Sequence, residues 1–181
     1  MVQTDGKSIL LVCQWLYEKN MLASADGNVS IRVSDDEILI TPSGVHKAFI
    51  SESQLARITL DNKILSGSPS SERLMHLEVY RRCPLAKAVV HAHPPTAIAW
   101  SVAHPELKEL PSDVLSELIL AVGRIPIVSY SLPGTDSMGK NLIPFLPQSR
   151  VLVLARHGGL SWGEDLMEAY CGIERLEHTA Q

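Results

Sequence analysis

The 181-residue sequence has no apolar run approaching the ~20 residues needed to span a bilayer. Its opening, Met1-Val2-Gln3-Thr4-Asp5-Gly6, lacks the basic-then-apolar order of a secretory leader. Cysteine is sparse: Cys13, Cys83 and Cys171 are widely spaced, odd in number and form no C-x-x-C pair. That usage argues against a disulfide framework and predicts a reducing, cytoplasmic setting, with each thiol acting as a small core residue. Nothing in the sequence places Cys83 near other metal-ligating residues. Positive charge is not in excess either; the formal net charge is −4 and the pI about 6.0. A general electrostatic pull on nucleic acid is thereby excluded. No repeat, linker or low-complexity segment divides the chain, so a single domain over residues 1–181 is expected.

What is present suits a folded domain with a sizeable core: 45% hydrophobic and 20% charged residues. Apolar spacing of three and four predicts a helix from Ser8 to about Leu22. A turn at Ala25–Asn28 leads into strands at Val29–Val33 and Ile38–Ile40, closed by Thr41-Pro42-Ser43-Gly44. A second hairpin is expected over Ala56–Leu65 with Asp61-Asn62 at its tip, followed by the loop Gly67–Ser71. Helices are predicted at Glu72–Arg81 (with Ser71 as N-cap), Pro95–Ala103, Asp113–Val122, Ser137–Phe145 and from Glu164 onward. Ala88–Ala92, Ile125–Val128 and Val151–Leu154 read as strands. Interleaved helices and strands with early hairpins imply helices packed on a mixed sheet.

The chemistry-bearing pattern is three histidines around a glutamate. His91 and His93 stand two apart at the end of an apolar run. In a strand, residues i and i+2 share a face, so both imidazoles can grip one ion from one side. His157 follows a second apolar run and precedes Gly158-Gly159, where the backbone is free to approach a ligand closely. Three nitrogen ligands and an exchangeable fourth position suit a catalytic zinc. Glu72 opens an amphipathic stretch. His76, one helical turn later, shares its face and reads as a core histidine rather than a ligand. Glu117 is a candidate for an extra polar group. Three small polar turns, at Gly27-Asn28, Thr41–Gly44 and Ser68–Ser71, offer backbone N–H groups and short hydroxyls, as a phosphate requires. Lys47 is near enough in sequence to add charge there.

Gly27-Asn28-Val29-Ser30, Thr41-Pro42-Ser43-Gly44, Ser70-Ser71-Glu72, His91-Ala92-His93 and His157-Gly158 follow one another in the order and spacing of the class II aldolase/adducin family. The chain resembles that family over nearly its whole length, and within it the L-fuculose-1-phosphate aldolase branch. The resemblance implies a three-layer α/β/α sandwich with a central mixed, mostly antiparallel sheet. It implies Zn2+ held by His91, His93 and His157. Glu72 matches the catalytic acid/base, which also touches the resting metal. Asn28, Ser43, Gly44, Ser70 and Ser71 match phosphate-contacting positions, framed by Gly27 and Thr41. It further implies a homotetramer with sites near subunit interfaces, and a small phosphorylated sugar as substrate. The expected reaction is reversible cleavage of a ketose 1-phosphate to dihydroxyacetone phosphate and an aldehyde. A methylthioribulose-1-phosphate dehydratase or a pentulose-5-phosphate 4-epimerase would use the same scaffold. A non-enzymatic adducin-like binding module would lack the histidines. The sequence departs from the family at Gly159, where a bulky apolar residue is usual and a looser turn is expected here. It also shows no match for a tail tyrosine that relatives carry, nor for an aromatic residue near Leu115.

Overall fold

The computed structural model describes residues 5–111 and 115–181. In chain order the elements are α1 (Gly6–Glu18), β1 (Asn28–Arg32), β2 (Glu37–Ile40), β3 (Ala56–Thr59), β4 (Ile64–Ser66), α2 (Arg73–Arg82), β5 (Ala88–Ala92) and α3 (Pro95–Ala103). They continue as α4 (Ser116–Ala121), β6 (Ile127–Val128), α5 (Asp136–Leu142), β7 (Val151–Leu154), β8 (Gly158–Gly163) and α6 (Leu166–Ala180). The eight strands form one sheet in the order β4-β3-β2-β1-β5-β8-β7-β6. Every neighbouring pair is antiparallel except β6 with β7.

Alternation along the strands sorts the core into two layers. Val89, Ile38, Ile40, Leu152, Leu160 and Trp162 pack on one face, with Met75, Leu77 and Val79 of α2 and Met138 and Leu142 of α5. Val29, Ile31, Ala88, Val90 and Ala92 point the other way, against Ile9, Val12, Cys13 and Leu16 of α1 and Ala169, Tyr170 and Ile173 of α6. Val151 and Val153 extend that second layer toward Ala97 of α3, Leu118 of α4 and Leu176 of α6. Helices therefore cover both faces of a mixed, mostly antiparallel sheet, as the sequence implies.

Element boundaries shift for local reasons. α1 ends at Glu18 because Asn20 takes a left-handed conformation, φ 59°. α2 starts one residue late: Glu72 is its N-cap without a side-chain cap bond. Ser70, not Ser71, accepts the Glu72 N–H at 3.2 Å, and the Glu72 side chain is turned toward His91 and His157. Pro144 has no N–H, and α5 gives way at Leu142 to a 3-10 turn over Ile143–Phe145. The helix expected over Asp113–Val122 is described from Ser116; its predicted start at Asp113 lies outside the described residues.

β8 is the strand that sequence patterning does not predict. Gly158-Gly159-Leu160-Ser161-Trp162-Gly163 holds three glycines, which weaken strand propensity. Its place between β5 and β7 supplies hydrogen bonds on both edges. Gly159 accordingly sits in a strand rather than a loosened turn. A Cβ there would press on the Leu176 side chain and come within 3.2 Å of Pro94 Cγ.

α6 also reaches across to α3. The buried Glu177 carboxylate accepts the N–H groups of Thr96, at 3.0 and 3.1 Å, and of Ala97, at 3.2 Å. These are donors of a helix start with no partner inside the helix, satisfied here by a side chain 80 and 81 positions away. Trp100 Nε1 donates to the Ala180 carbonyl at 2.8 Å. At the β8 contact, a Cβ on Gly172 would meet the Ser161 hydroxyl and lie 2.9 Å from Ser161 Cβ and 3.1 Å from Val151 Cγ2. Gly172→Val should therefore overpack this layer at a cost of about 1–3 kcal/mol. Thermal unfolding would show it as a midpoint lower by several degrees; an unchanged midpoint would contradict the packing.

Candidate active site

Three central strands end together. β1 begins, β5 finishes and β8 begins at the same edge of the sheet, because β1 and β8 both run antiparallel to β5. The register pairs Asn28 with His91 and His91 with Leu160. His93 follows β5, and His157 stands just before β8 in the tight connection from β7. The close approach depends on Gly158. A Cβ there would lie 2.5 Å from the Ala92 carbonyl oxygen, 2.8 Å from His91 Cε1 and 3.0 Å from His93 Cδ2. No L side chain fits between backbone and two imidazoles at those distances.

The three rings form a near-equilateral cluster, with centroids 4.8, 5.0 and 5.1 Å apart. Their ligand atoms all lie within 4.8 Å of one another. His91 is fully buried, and its Nδ1–H donates to the Gly159 carbonyl at 2.8 Å. That bond fixes the tautomer and leaves Nε2 a bare lone pair. His91 Nε2 and His93 Nε2 are 3.2 Å apart. Two nitrogens bound to one tetrahedral zinc at ~2.0–2.1 Å sit about 3.3–3.4 Å apart, so the observed edge fits. Glu72 faces the same point: Oε2 is 3.4 Å from His91 Nε2 and Oε1 is 3.2 Å from His157 Nε2. The donor set therefore fits a metal ion held by three imidazoles, with a carboxylate alongside.

Burial holds the His91 and His93 pKa values down at about 4. Both rings are then neutral near pH 7, the form that ligates metal. Burial by itself would raise the Glu72 carboxyl, but His91, His157 and the Asn28 amide outweigh it. The net shift is well below the usual carboxylate range, so Glu72 is ionised.

A cavity of about 300 Å³ opens beside this cluster. His93, His157 and Glu72 form one wall; Ser43, Gly44, Ser70 and Ser71 form another. The two hydroxyl-bearing loops are zipped together: Ser43 N–H donates to Ser68 O at 3.0 Å, and Ser70 N–H to Thr41 O at 3.1 Å. Thr41 Oγ1 accepts the Val29 N–H at 3.1 Å, tying this frame to β1. Gly44, at φ 70°, has open space where a Cβ would stand. Asn28 lines the cavity, but its side chain is already engaged, with Nδ2 donating to Glu72 Oε2 at 2.7 Å.

Lys47 is only 2% exposed and lines the cavity. Its ammonium donates to Ala25 O at 2.5 Å and to Val45 O at 2.8 Å. Burial lowers its pKa. Ala25, Asp26 and Pro133 complete the lining and were not singled out by the sequence. Only the position of Asp26 beside Gly27-Asn28 could have flagged it; Pro133 arrives from a distant turn. Glu117 is not brought here and instead borders a separate groove with Arg175 and His178. Cys83 is buried in the core beneath α2. His76 is fully buried behind the site and is not a ligand.

The family described as Class II Aldolase and Adducin N-terminal domain matches residues 7–181. The chain belongs to that family. Among curated class II relatives, the 3-oxo-tetronate 4-phosphate decarboxylase of Escherichia coli O6:H1 is 33% identical over 99% of this chain and 85% of its own length. The L-fuculose phosphate aldolase of Methanococcus vannielii is 33% identical over 98% of this chain and 94% of its own length. The solved L-fuculose-1-phosphate aldolase of Thermus thermophilus superposes with a TM-score of 0.86 at 30% identity, covering 97% of this chain and 90% of that one. The aldolase/adducin fold and the branch suggested by the motifs are thus both found among these matches. Decarboxylation is a chemistry that the sequence alone did not raise.

The buried rings of this class II fold give a pH signature. His76, His91 and His93 have folded pKa values of about 4 against 6.5 when free. Between those values the unfolded chain binds more protons than the folded one, so stability falls as pH drops. Chelator-treated protein should melt several degrees lower at pH 5 than at pH 7. An equal midpoint at both would show that the rings are not held neutral.

Proposed function

We propose that this chain is a metal-dependent carbon–carbon lyase acting on a small phosphorylated keto compound. In its leading form it is a zinc aldolase that reversibly splits a ketose 1-phosphate, of the L-fuculose-1-phosphate kind, into dihydroxyacetone phosphate and an aldehyde. One observation carries the reading. A cluster of three imidazoles, two of which line the cavity, stands with an ionised carboxylate across that cavity from a cradle of hydroxyls, backbone and one ammonium.

His91, His93 and His157 would hold the ion, with Glu72 beside it. Such an ion supplies polarisation of a carbonyl and stabilisation of the negative charge that develops on its oxygen. Ser43, Gly44, Ser70 and Ser71 bind the phosphate, and Lys47 neutralises part of its charge. Anchoring that remote group orients the bond to be broken. Glu72 moves the proton at the carbon next to the carbonyl. In the condensation direction the ionised carboxylate removes that proton; in cleavage the proton released by the substrate hydroxyl that becomes the aldehyde balances the one that Glu72 delivers to the carbon.

Decarboxylation is the second reading, supported by the relative so named. A 3-oxo acid 4-phosphate that loses carbon dioxide leaves the same enediolate of dihydroxyacetone phosphate. The carbonyl, phosphate and proton-transfer roles are unchanged; only the departing group differs. The surrounding proposals are a single domain over residues 1–181, a homotetramer and a cytoplasmic location. Exposed Ile119 and Leu120 on α4 offer apolar surface for assembly, and the three thiols are unpaired. Among the described residues no helix is long and apolar enough to cross a membrane.

The deciding experiment gives zinc-loaded protein dihydroxyacetone phosphate with an aldehyde, and separately a 3-oxo-tetronate 4-phosphate. A new phosphorylated ketose supports the aldolase, and released carbon dioxide the decarboxylase. Neither product would reject both and turn attention to the dehydratase or epimerase; failure to bind zinc would revive the adducin-like module. Glu72→Gln should keep zinc and lose turnover by roughly 100-fold or more; His93→Ala should lose the metal. Near-normal turnover in the first, or full zinc in the second, would reject those roles. Lys47→Met should raise KM for the phosphorylated substrate about 10- to 100-fold, the worth of a charge-assisted hydrogen bond, with little change in kcat. An unaltered KM would remove Lys47 from the phosphate site.

A further inference from the structure

Glu72 is the cavity end of a hydrogen-bond chain that runs into the core. Asn28 Nδ2 donates to Glu72 Oε2 at 2.7 Å. Asn28 Oδ1 is hydrogen-bonded to His76 Nε2. His76 Nδ1 lies 2.7 Å from Ser30 Oγ, and Ser30 Oγ lies 2.9 Å from the Tyr80 hydroxyl. His76 and Ser30 are 0% exposed, and Tyr80 and Asn28 2%. The arrangement follows from two periodicities meeting. Glu72, His76 and Tyr80 are four apart and line one stripe at and along α2. Asn28 and Ser30 are two apart and share the face of β1 opposite to Val29 and Ile31.

Chemistry fixes the direction of every bond. An ionised carboxylate only accepts, so Asn28 must present its NH2 group to Glu72. Its carbonyl oxygen then faces His76, which must donate from Nε2. A neutral His76 has Nδ1 bare, so Ser30 must donate to it, and the Ser30 oxygen in turn accepts from Tyr80. A flipped Asn28 amide would oppose oxygen to carboxylate at one end and N–H to N–H at the other. Both clashes would be buried, where unpaired polar groups are most costly.

We propose that His76, backed by Ser30 and Tyr80, is a positioning residue for proton transfer: it locks the Asn28 amide in one orientation and thereby aims the Glu72 carboxylate. The inference rests on the reading of Glu72 as the acid/base. Zinc-loaded protein in D2O with dihydroxyacetone phosphate gives the direct readout, the rate at which one C3 proton exchanges. In His76→Leu the maximal exchange rate should fall roughly 10- to 100-fold, the scale of a misplaced catalytic group. Half-saturation and zinc stoichiometry should stay within about twofold of wild type, which a general loss of structure would not allow. His76→Gln keeps an N–H able to reach the Asn28 carbonyl and should recover most of the rate. Ser30→Ala frees the His76 tautomer with little change in packing; it should slow exchange with the same unchanged half-saturation, and it decides the matter if His76→Leu does not fold. A folded, zinc-loaded His76→Leu or Ser30→Ala with the wild-type rate overturns the positioning role. A wild type without exchange overturns the acid/base reading itself, and the relay with it.

Discussion

The site depends on the distance between two strands. β5 and β8 lie at hydrogen-bonding separation, and at Gly158 that spacing leaves no volume for a Cβ against the Ala92 carbonyl and the His91 ring. Because the backbone can approach, His157 enters the space beside His91 and His93. Burial in this packing lowers the pKa of His91 and His93 and holds those two rings neutral. The ring nitrogens of the three histidines then converge on one point, faced by the Glu72 carboxylate that the Asn28 amide holds in place. A glycine that reads as a defect in a strand is thus what permits the donor cluster to exist.

The same layer carries a cost. Between α2 and β1 runs a seam of polar groups where an aliphatic core would be simpler to build. Buried polar atoms are tolerated when every one is paired. Asn28, Ser30, His76 and Tyr80 meet that condition with each other, and Arg32 closes the far end by donating to the Tyr80 carbonyl at 2.8 Å. Such a seam admits one arrangement of side chains, whereas an oily interface would admit several. Rigidity beneath a proton-transferring group is the return on that arrangement.

Much of this was legible in the chain itself. The i, i+2 histidines, the early hairpins and the ordered small-residue turns carry their geometry in their spacing. His76 was visible as sharing a helix face with Glu72. Other features were not. β8 is written in glycines, and only its two neighbouring strands make it a strand. The N-cap of the second helix is Glu72 rather than Ser71, and its side chain is turned to histidines 19 and 85 positions downstream. The burial of Lys47 depends on carbonyls from two loops that sequence order keeps apart. Long-range contacts decided each of these, and a local pattern does not encode them.

The Glu177 carboxylate on the N-terminus of α3 ties the last helix to the segment immediately following His93. Pro94 and Pro95 leave little slack between that anchor and the imidazole. The final turns of α6 and the donor cluster thereby belong to one cooperative unit, so fraying of the C-terminal helix is felt at His93. An ion bound among the histidines would in turn protect amide hydrogens at the far end of the chain from exchange, although no residue of α6 touches it.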